Sequence, residues 1–263
     1  MKVRASSLVD LFDCPARWEA RNVLEMHLPT SSSALLGIAV HAGTAAYDMS
    51  RMSNNRITVD EAAGAVVDVL YDENNDVDWG DGQPKAVEDT ALALHKMYCE
   101  EVSPQYEYVG VEVKCDDLVI SDLDLTLTGT TDRVFTDVDT GEIGIADIKT
   151  GKSIVSPDGT VSIGARALQL GIYELLVESA LNKPVTLPAK VIGLQAGKTA
   201  KGQRCAVASV SGAKEMLVGD GTKPGVLEYA AHILKSGMFP GNPRSQMCSS
   251  KYCPCFSICN FHR

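Results

Sequence analysis

In GEIGIADIKTGKS, residues 141–153, Asp147 and Lys149 stand one residue apart at the end of an apolar stretch. Strand side chains alternate with a period of two, so both would project to one face. On a cleft wall the carboxylate can hold a cation, and the ammonium can stabilise negative charge beside it. The alternative is a surface ion pair at a strand end. Two more acids follow comparable apolar runs: Glu112 after YVGV and Asp132 after LTGTT. If the neighbouring strands pair antiparallel, these acids meet at facing strand ends. Carboxylates and histidine suit Mg²⁺ or Mn²⁺, ions that orient a phosphodiester, activate water and stabilise a leaving oxygen.

The elements that must position these residues read as follows. Residues 6–27 begin with Ser6-Ser7 as a cap and form a short helix, with Cys14-Pro15 interrupting it or starting the next one. Helices are expected over about 34–51, which contains His41, and over 58–72 and 86–102. The acidic stretch DENNDVDWGDGQP between the last two reads as a loop. The pattern then changes to three β-branched, partly alternating runs, YEYVGVEVKCDDLVI, LDLTLTGTTDRVFTD and EIGIADIKT, which form a meander. A periodic helix spans 165–181. Two strands, AKVIGLQA and RCAVASVS, flank a basic turn, and a last helix lies in TKPGVLEYAAHILKSG. Helices, meander, helix, hairpin and helix in this order indicate an α/β sheet core with an N-terminal helical insertion.

The formal net charge of −10 is unevenly spread. Residues 183–263 hold eleven Lys or Arg against three acids, a net of +8, while residues 60–90 hold ten acids, Asp81 among them, against Lys85. A basic C-terminal third permits contact with a polyanion; the alternative is a solvated surface. Membrane spans and a signal peptide are not expected, and a cytoplasmic location is. Of eight cysteines, Cys248, Cys253, Cys255 and Cys259 crowd the last 16 residues, and Cys14 stands alone near the start. Without an export signal, such a group reads as metal ligation before disulfides.

GTTDRVF followed by GIADIKTGK resembles the PD-(D/E)XK nuclease superfamily, and most of all its RecB-like and CRISPR-associated exonuclease branch, which has many phage members. By that resemblance Asp132 and Asp147 are metal-binding acids and Lys149 the catalytic lysine. His41, in GIAVHAG, becomes a metal ligand, as does the Ile148 carbonyl, with Glu112 a weaker addition. Gln169 and Tyr173, in QLGIY, are four apart on one helical face and belong near the lysine and the DNA backbone. Thr131, not proline, precedes Asp132, a departure from the family's name pattern.

Cys14 with Cys248, Cys253 and Cys259 resembles the iron–sulfur form of the same branch, in which a 4Fe-4S cluster ties the chain ends together; zinc is the alternative, and Cys255 is an extra thiol. The resemblance implies a restriction-endonuclease-like core with a mixed central sheet flanked by helices. The chain would form a single nuclease domain over 1–263. A staple is expected from 1–30 with 240–263, a helical insertion over 42–105 and a catalytic core over 106–235. The implied activity is Mg²⁺- or Mn²⁺-dependent exonucleolytic cleavage of DNA, resecting ends to single strands in phage or mobile-element recombination. DNA and a recombination partner protein are the implied partners, in the host cytoplasm if the chain is phage-encoded. Lys198, Lys201 and Arg204 in the basic turn would contact the DNA backbone. A non-catalytic DNA-binding subunit, and an endonuclease or CRISPR spacer-processing enzyme of the same fold, are the alternatives.

Overall fold

The central strands carry apolar residues on both faces, so each face of one sheet is buried. This computed structural model describes residues 1–80 and 82–262; Asp81 and Arg263 lie outside the description. Before the sheet's main strands come β1 (Lys2–Arg4), α1 (Leu8–Asp13), α2 (Pro15–Asn22), β2 (Thr30–Ser31), α3 (Ser32–Met52), α4 (Val59–Leu70), β3 (Val77–Asp78) and α5 (Pro84–Met97), which ends in a π-helical turn over Tyr98–Val102. Next are β4 (Glu107–Ile120), β5 (Leu125–Thr136), β6 (Ile143–Gly151) and α6 (Arg166–Leu181). The chain ends with β7 (Ala189–Gln195), β8 (Arg204–Val210), α7 (Ala213–Val218), α8 (Val226–Ser236) and a coil.

Strand β5 organises the sheet. Along one side it pairs antiparallel with β4. Along the other side, β1 lies parallel to its first half, at Thr126–Thr128, and β6 lies antiparallel to its second half, at Arg133–Thr136. The order continues through β7, parallel to β6, and β8, antiparallel to β7. Pairing of β6 with β5 stops at Ala146, whereas its pairing with β7 runs on to Gly151. Strand β6 therefore leaves β5 just where Asp147-Ile148-Lys149 begins.

One apolar cluster packs α1, α6, α7 and α8 on the face that carries Leu127, Val134, Ile145 and Val191. A second packs α3, α4 and α5 on the face that carries Phe135, Ala146, Ile148 and Ile192. Helices α3, α4 and α5 thus form a full layer over one face of the sheet, and the architecture is a mixed sheet between two helical layers. Local signals fix the ends of this layer. The Ser31 hydroxyl accepts from Ala34 N–H at the start of α3, and Thr58 with Glu61 forms a capping box on α4. Cys14 is the residue before α2 and Pro15 opens it, a position where a missing N–H costs nothing.

The acidic segment expected as a loop holds β3, which pairs parallel with β2. Strand β1 and helix α7 are additions to the sequence reading. Both are short, and their burial against β5 and α6 is decided by partners distant in sequence. Among the described residues no helix is long and apolar enough to cross a membrane.

Candidate active site

The site lies at the fork where β6 parts from β5. Beyond Ala146 the β5 side of β6 has no strand partner among the described residues, so its backbone groups need other ones. The Ile148 N–H donates to Asp132 Oδ2 at 2.7 Å, and the Ile148 carbonyl lies 2.9 Å from His41 Nε2. His41 comes from α3, whose close approach to β6 depends on Gly37: a Cβ there would lie 2.8 Å from Thr150 Oγ1.

His41 Nδ1 is 3.7 Å from Asp132 Oδ2 and 4.0 Å from Glu112 Oε1. One donor atom from each of these three residues lies within 4.8 Å of the others. Glu112 reaches in from β4 with φ of +48°, a left-handed backbone that costs a non-glycine residue about 1–3 kcal/mol. Burial raises its carboxyl pKa to about 7; the charge of Asp132 adds to the rise and Arg133 opposes it.

Asp147 and Lys149 share the α6 face, with Lys149 Nζ donating to Asp147 Oδ1 at 2.8 Å. Gln169 Nε2 donates to the Tyr173 hydroxyl at 2.8 Å and lies 3.5 Å from the same Asp147 oxygen. Gly129 makes room for this helix: a Cβ there would lie 3.0 Å from the Tyr173 ring. Asp147 is 1% exposed, and burial raises its pKa; Lys149 opposes the rise and Asp132 adds to it. Its Oδ2 is buried with no hydrogen-bond partner among the described residues. A buried carboxylate oxygen without a donor is costly unless a cation meets it, so the donor set fits a divalent ion. The 2.9 Å between His41 Nε2 and Ile148 O suits a hydrogen bond in one tautomer.

Fold and hydrogen bonds thus bring His41, Glu112, Asp132, Asp147, Ile148, Lys149, Gln169 and Tyr173 into one place. A buried layer behind them escaped the sequence reading. Arg133 Nε donates to Asp48 Oδ2 at 2.7 Å, Nη1 to the Asp132 carbonyl at 2.7 Å and to Glu112 at 3.4 Å, and Nη2 to Thr44 at 3.1 Å. Asp48 also accepts from Tyr98 and Ser103. The available signal was spacing: His41, Thr44 and Asp48 are i, i+3 and i+7 on α3, and Arg133 directly follows Asp132.

The basic turn lies elsewhere, between β7 and β8, beyond the same end of the parallel β6–β7 pair to which Lys149 belongs. Lys198 and Lys201 are exposed. Arg204 turns inward, with Nη2 donating to the Val155 carbonyl. The cysteines form a separate group: Cys14, Cys248, Cys253, Cys255 and Cys259 line one small cavity between the start of α2 and the C-terminal coil. None is in a disulfide, and Cys253 Sγ is 3.5 Å from Cys255 Sγ. Among the described residues, no three of these sulfurs lie within 4.8 Å of one another.

The profile of the PD-(D/E)XK nuclease superfamily matches residues 3–260. No curated protein matches the sequence. The fold is similar to that of a protein from Eubacterium rectale whose crystal structure bears the name "Putative exonuclease". The TM-score is 0.61 at 14% identity, over 97% of this chain and 86% of that one. At that identity the likeness speaks for the fold. A profile match over nearly the whole length, on a mixed sheet between helical layers, places this chain in the PD-(D/E)XK nuclease superfamily.

Proposed function

We propose that this chain is a divalent-metal-dependent DNA exonuclease. The observation that carries the reading is the orphaned, buried Asp147 Oδ2 beside the His41–Glu112–Asp132 group. His41, Asp132 and Asp147 are the proposed ligands, with Glu112 and the Ile148 carbonyl adjoining. A bound Mg²⁺ or Mn²⁺ supplies Lewis-acid polarisation of the phosphate and a more acidic water. Lys149, already oriented by Asp147, orients the attacking water or stabilises the negative charge developing on the phosphoryl oxygens. The Gln169–Tyr173 pair, locked by its own hydrogen bond, positions the scissile phosphate. Lys198 and Lys201 contact the backbone further along; the inward turn of Arg204 gives it a supporting place in the loop.

The cysteine cavity is the proposed 4Fe-4S site, with Cys14, Cys248, Cys253 and Cys259 as ligands. A tetrahedral zinc tetrathiolate with Zn–S near 2.3 Å needs sulfurs about 3.8 Å apart. Five cysteines lining one cavity support a thiolate-bound centre there. Joining residue 14 to residue 259, it would staple nearly the whole chain. End resection in phage or mobile-element recombination, alongside a partner recombination protein, is the setting proposed for the activity.

The test is digestion of end-labelled linear DNA and of covalently closed circular DNA with Mn²⁺, with and without EDTA. Release of label from linear DNA alone, abolished by EDTA, is expected. Equal cleavage of the closed circle would replace the exonuclease reading with an endonuclease one.

A further inference from the structure

Arg17 is the second residue of α2 after Pro15 and lines the cysteine cavity; it is 2% exposed. Its Nη2 is held by two carboxylates of α1, Asp10 Oδ1 at 2.7 Å and Asp13 Oδ2 at 3.0 Å. Nε and Nη1 are buried and have no partner among the described residues. A guanidinium carries five N–H donors, and the three on Nε and Nη1 are left unused here. A buried donor without an acceptor is costly, and such groups are rare in folded chains. Five thiol sulfurs line this same cavity, beside Asn242, Ser245 and His262. Its surroundings are already organised toward sulfur: the Asn242 N–H points at Cys14 Sγ at 3.3 Å, and Asn242 Nδ2 and the Ser245 hydroxyl both bond to Asp13. Asp13 thus anchors the C-terminal coil and the arginine together.

We infer that Arg17 is a cofactor-site residue, donating its free N–H groups to the sulfurs of the iron–sulfur cluster in the cysteine cavity. The inference rests on the cluster reading given under Proposed function. Four thiolates leave a 4Fe-4S centre with net negative charge, and one-electron reduction adds another. Hydrogen bonds to sulfur and a nearby cation stabilise the reduced form more than the oxidised one, which raises the reduction potential. In that step one electron enters the cluster from the reductant and no bond breaks. Asp10 and Asp13 act as the orienting groups that keep the guanidinium turned into the cavity.

The direct test needs no variant. Protein labelled with ¹⁵N only in arginine is purified without oxygen, reduced with dithionite and studied by pulsed electron paramagnetic resonance. Arginine ¹⁵N coupled to the reduced cluster is expected, since Arg17 is the one arginine among the described cavity-lining residues. Absence of coupling in a protein that contains iron and sulfide overturns the Arg17 inference and leaves the cluster reading intact. Absence of iron from the labelled protein overturns both. Arg17→Lys supplies the second readout, because it keeps a cation for Asp10 and Asp13 and removes the Nε and Nη1 donors. This variant should fold, retain iron and show a lower midpoint potential with faster bleaching in air. An unchanged potential and bleaching rate in an iron-loaded Arg17→Lys protein would also overturn the inference.

Discussion

Asp48 and Arg133 form a 2.7 Å ion pair with both side chains fully buried, and this pair joins α3 to the strand that carries Asp132. The same guanidinium holds the Asp132 carbonyl and the Glu112 carboxylate, so the helix that presents His41 and the strands that present the acids share one anchor. Removing one partner of a buried pair strands the other charge, at about 3–5 kcal/mol. Asp48→Ala should therefore lower the unfolding free energy in urea by about that amount. The double variant Asp48→Leu with Arg133→Met should lose less than the two single losses combined, because the residues act as a unit.

Asp147 and Lys149 should separate in their effects. Each change to alanine is expected to lower cleavage by at least about a hundredfold, the usual loss on removing a charge-stabilising group. Titration calorimetry with Mn²⁺ should show weak or absent binding for Asp147→Ala, and binding close to wild type for Lys149→Ala. Near-normal cleavage by folded Asp147→Ala protein would remove Asp147 from the site.

Ca²⁺ should raise DNA affinity without supporting cleavage, because it neutralises the acids but polarises water less than Mg²⁺ or Mn²⁺. Lys198→Ala with Lys201→Ala should weaken binding alike on all sequences, and the slope of log affinity against log salt should fall by about 1 per lost phosphate contact. An unchanged slope would mean that these lysines only solvate the turn.

The pH dependence of stability should carry a contribution from Glu174, buried on α6 with Oε2 accepting the Lys214 N–H. Burial raises its pKa to about 7, with Lys214 opposing the rise. A carboxyl whose folded pKa lies above the unfolded value stabilises the fold below pH 4.5, and that contribution is lost as pH rises toward 7. Glu174→Gln should match wild type near pH 4.5 and exceed it by roughly 1–3 kcal/mol at pH 8, read from urea midpoints. A constant difference across that range would show that Glu174 does not titrate with folding.

Cysteine substitutions should divide in the same clear way. Changing Cys14, Cys248, Cys253 or Cys259 to Ser should remove the broad absorption near ~400 nm expected of thiolate-bound iron, whereas Cys255→Ser should keep it. Stoichiometric zinc in place of iron would leave the staple standing and discard the cluster.

The sequence alone determined the elements whose signals are local. The α3 and α6 helices, the three-strand meander and the β7–β8 hairpin follow from periodicity and turn residues, and they appear within a few residues of their expected limits. Period two places Asp147 and Lys149 on one face, and a four-residue step places Gln169 and Tyr173 together, because backbone geometry alone sets those relations. What brings His41, 107 residues away, to the Ile148 carbonyl is tertiary structure. So is the parting of β6 from β5, which frees the Ile148 backbone groups for Asp132 and His41. The pairing of β1 with β5, the Asp48–Arg133 anchor and the unused donors of Arg17 depend on burial against residues remote in sequence. Burial changes the worth of a charge or a hydrogen bond by several kcal/mol, and only the folded chain fixes which groups are buried together.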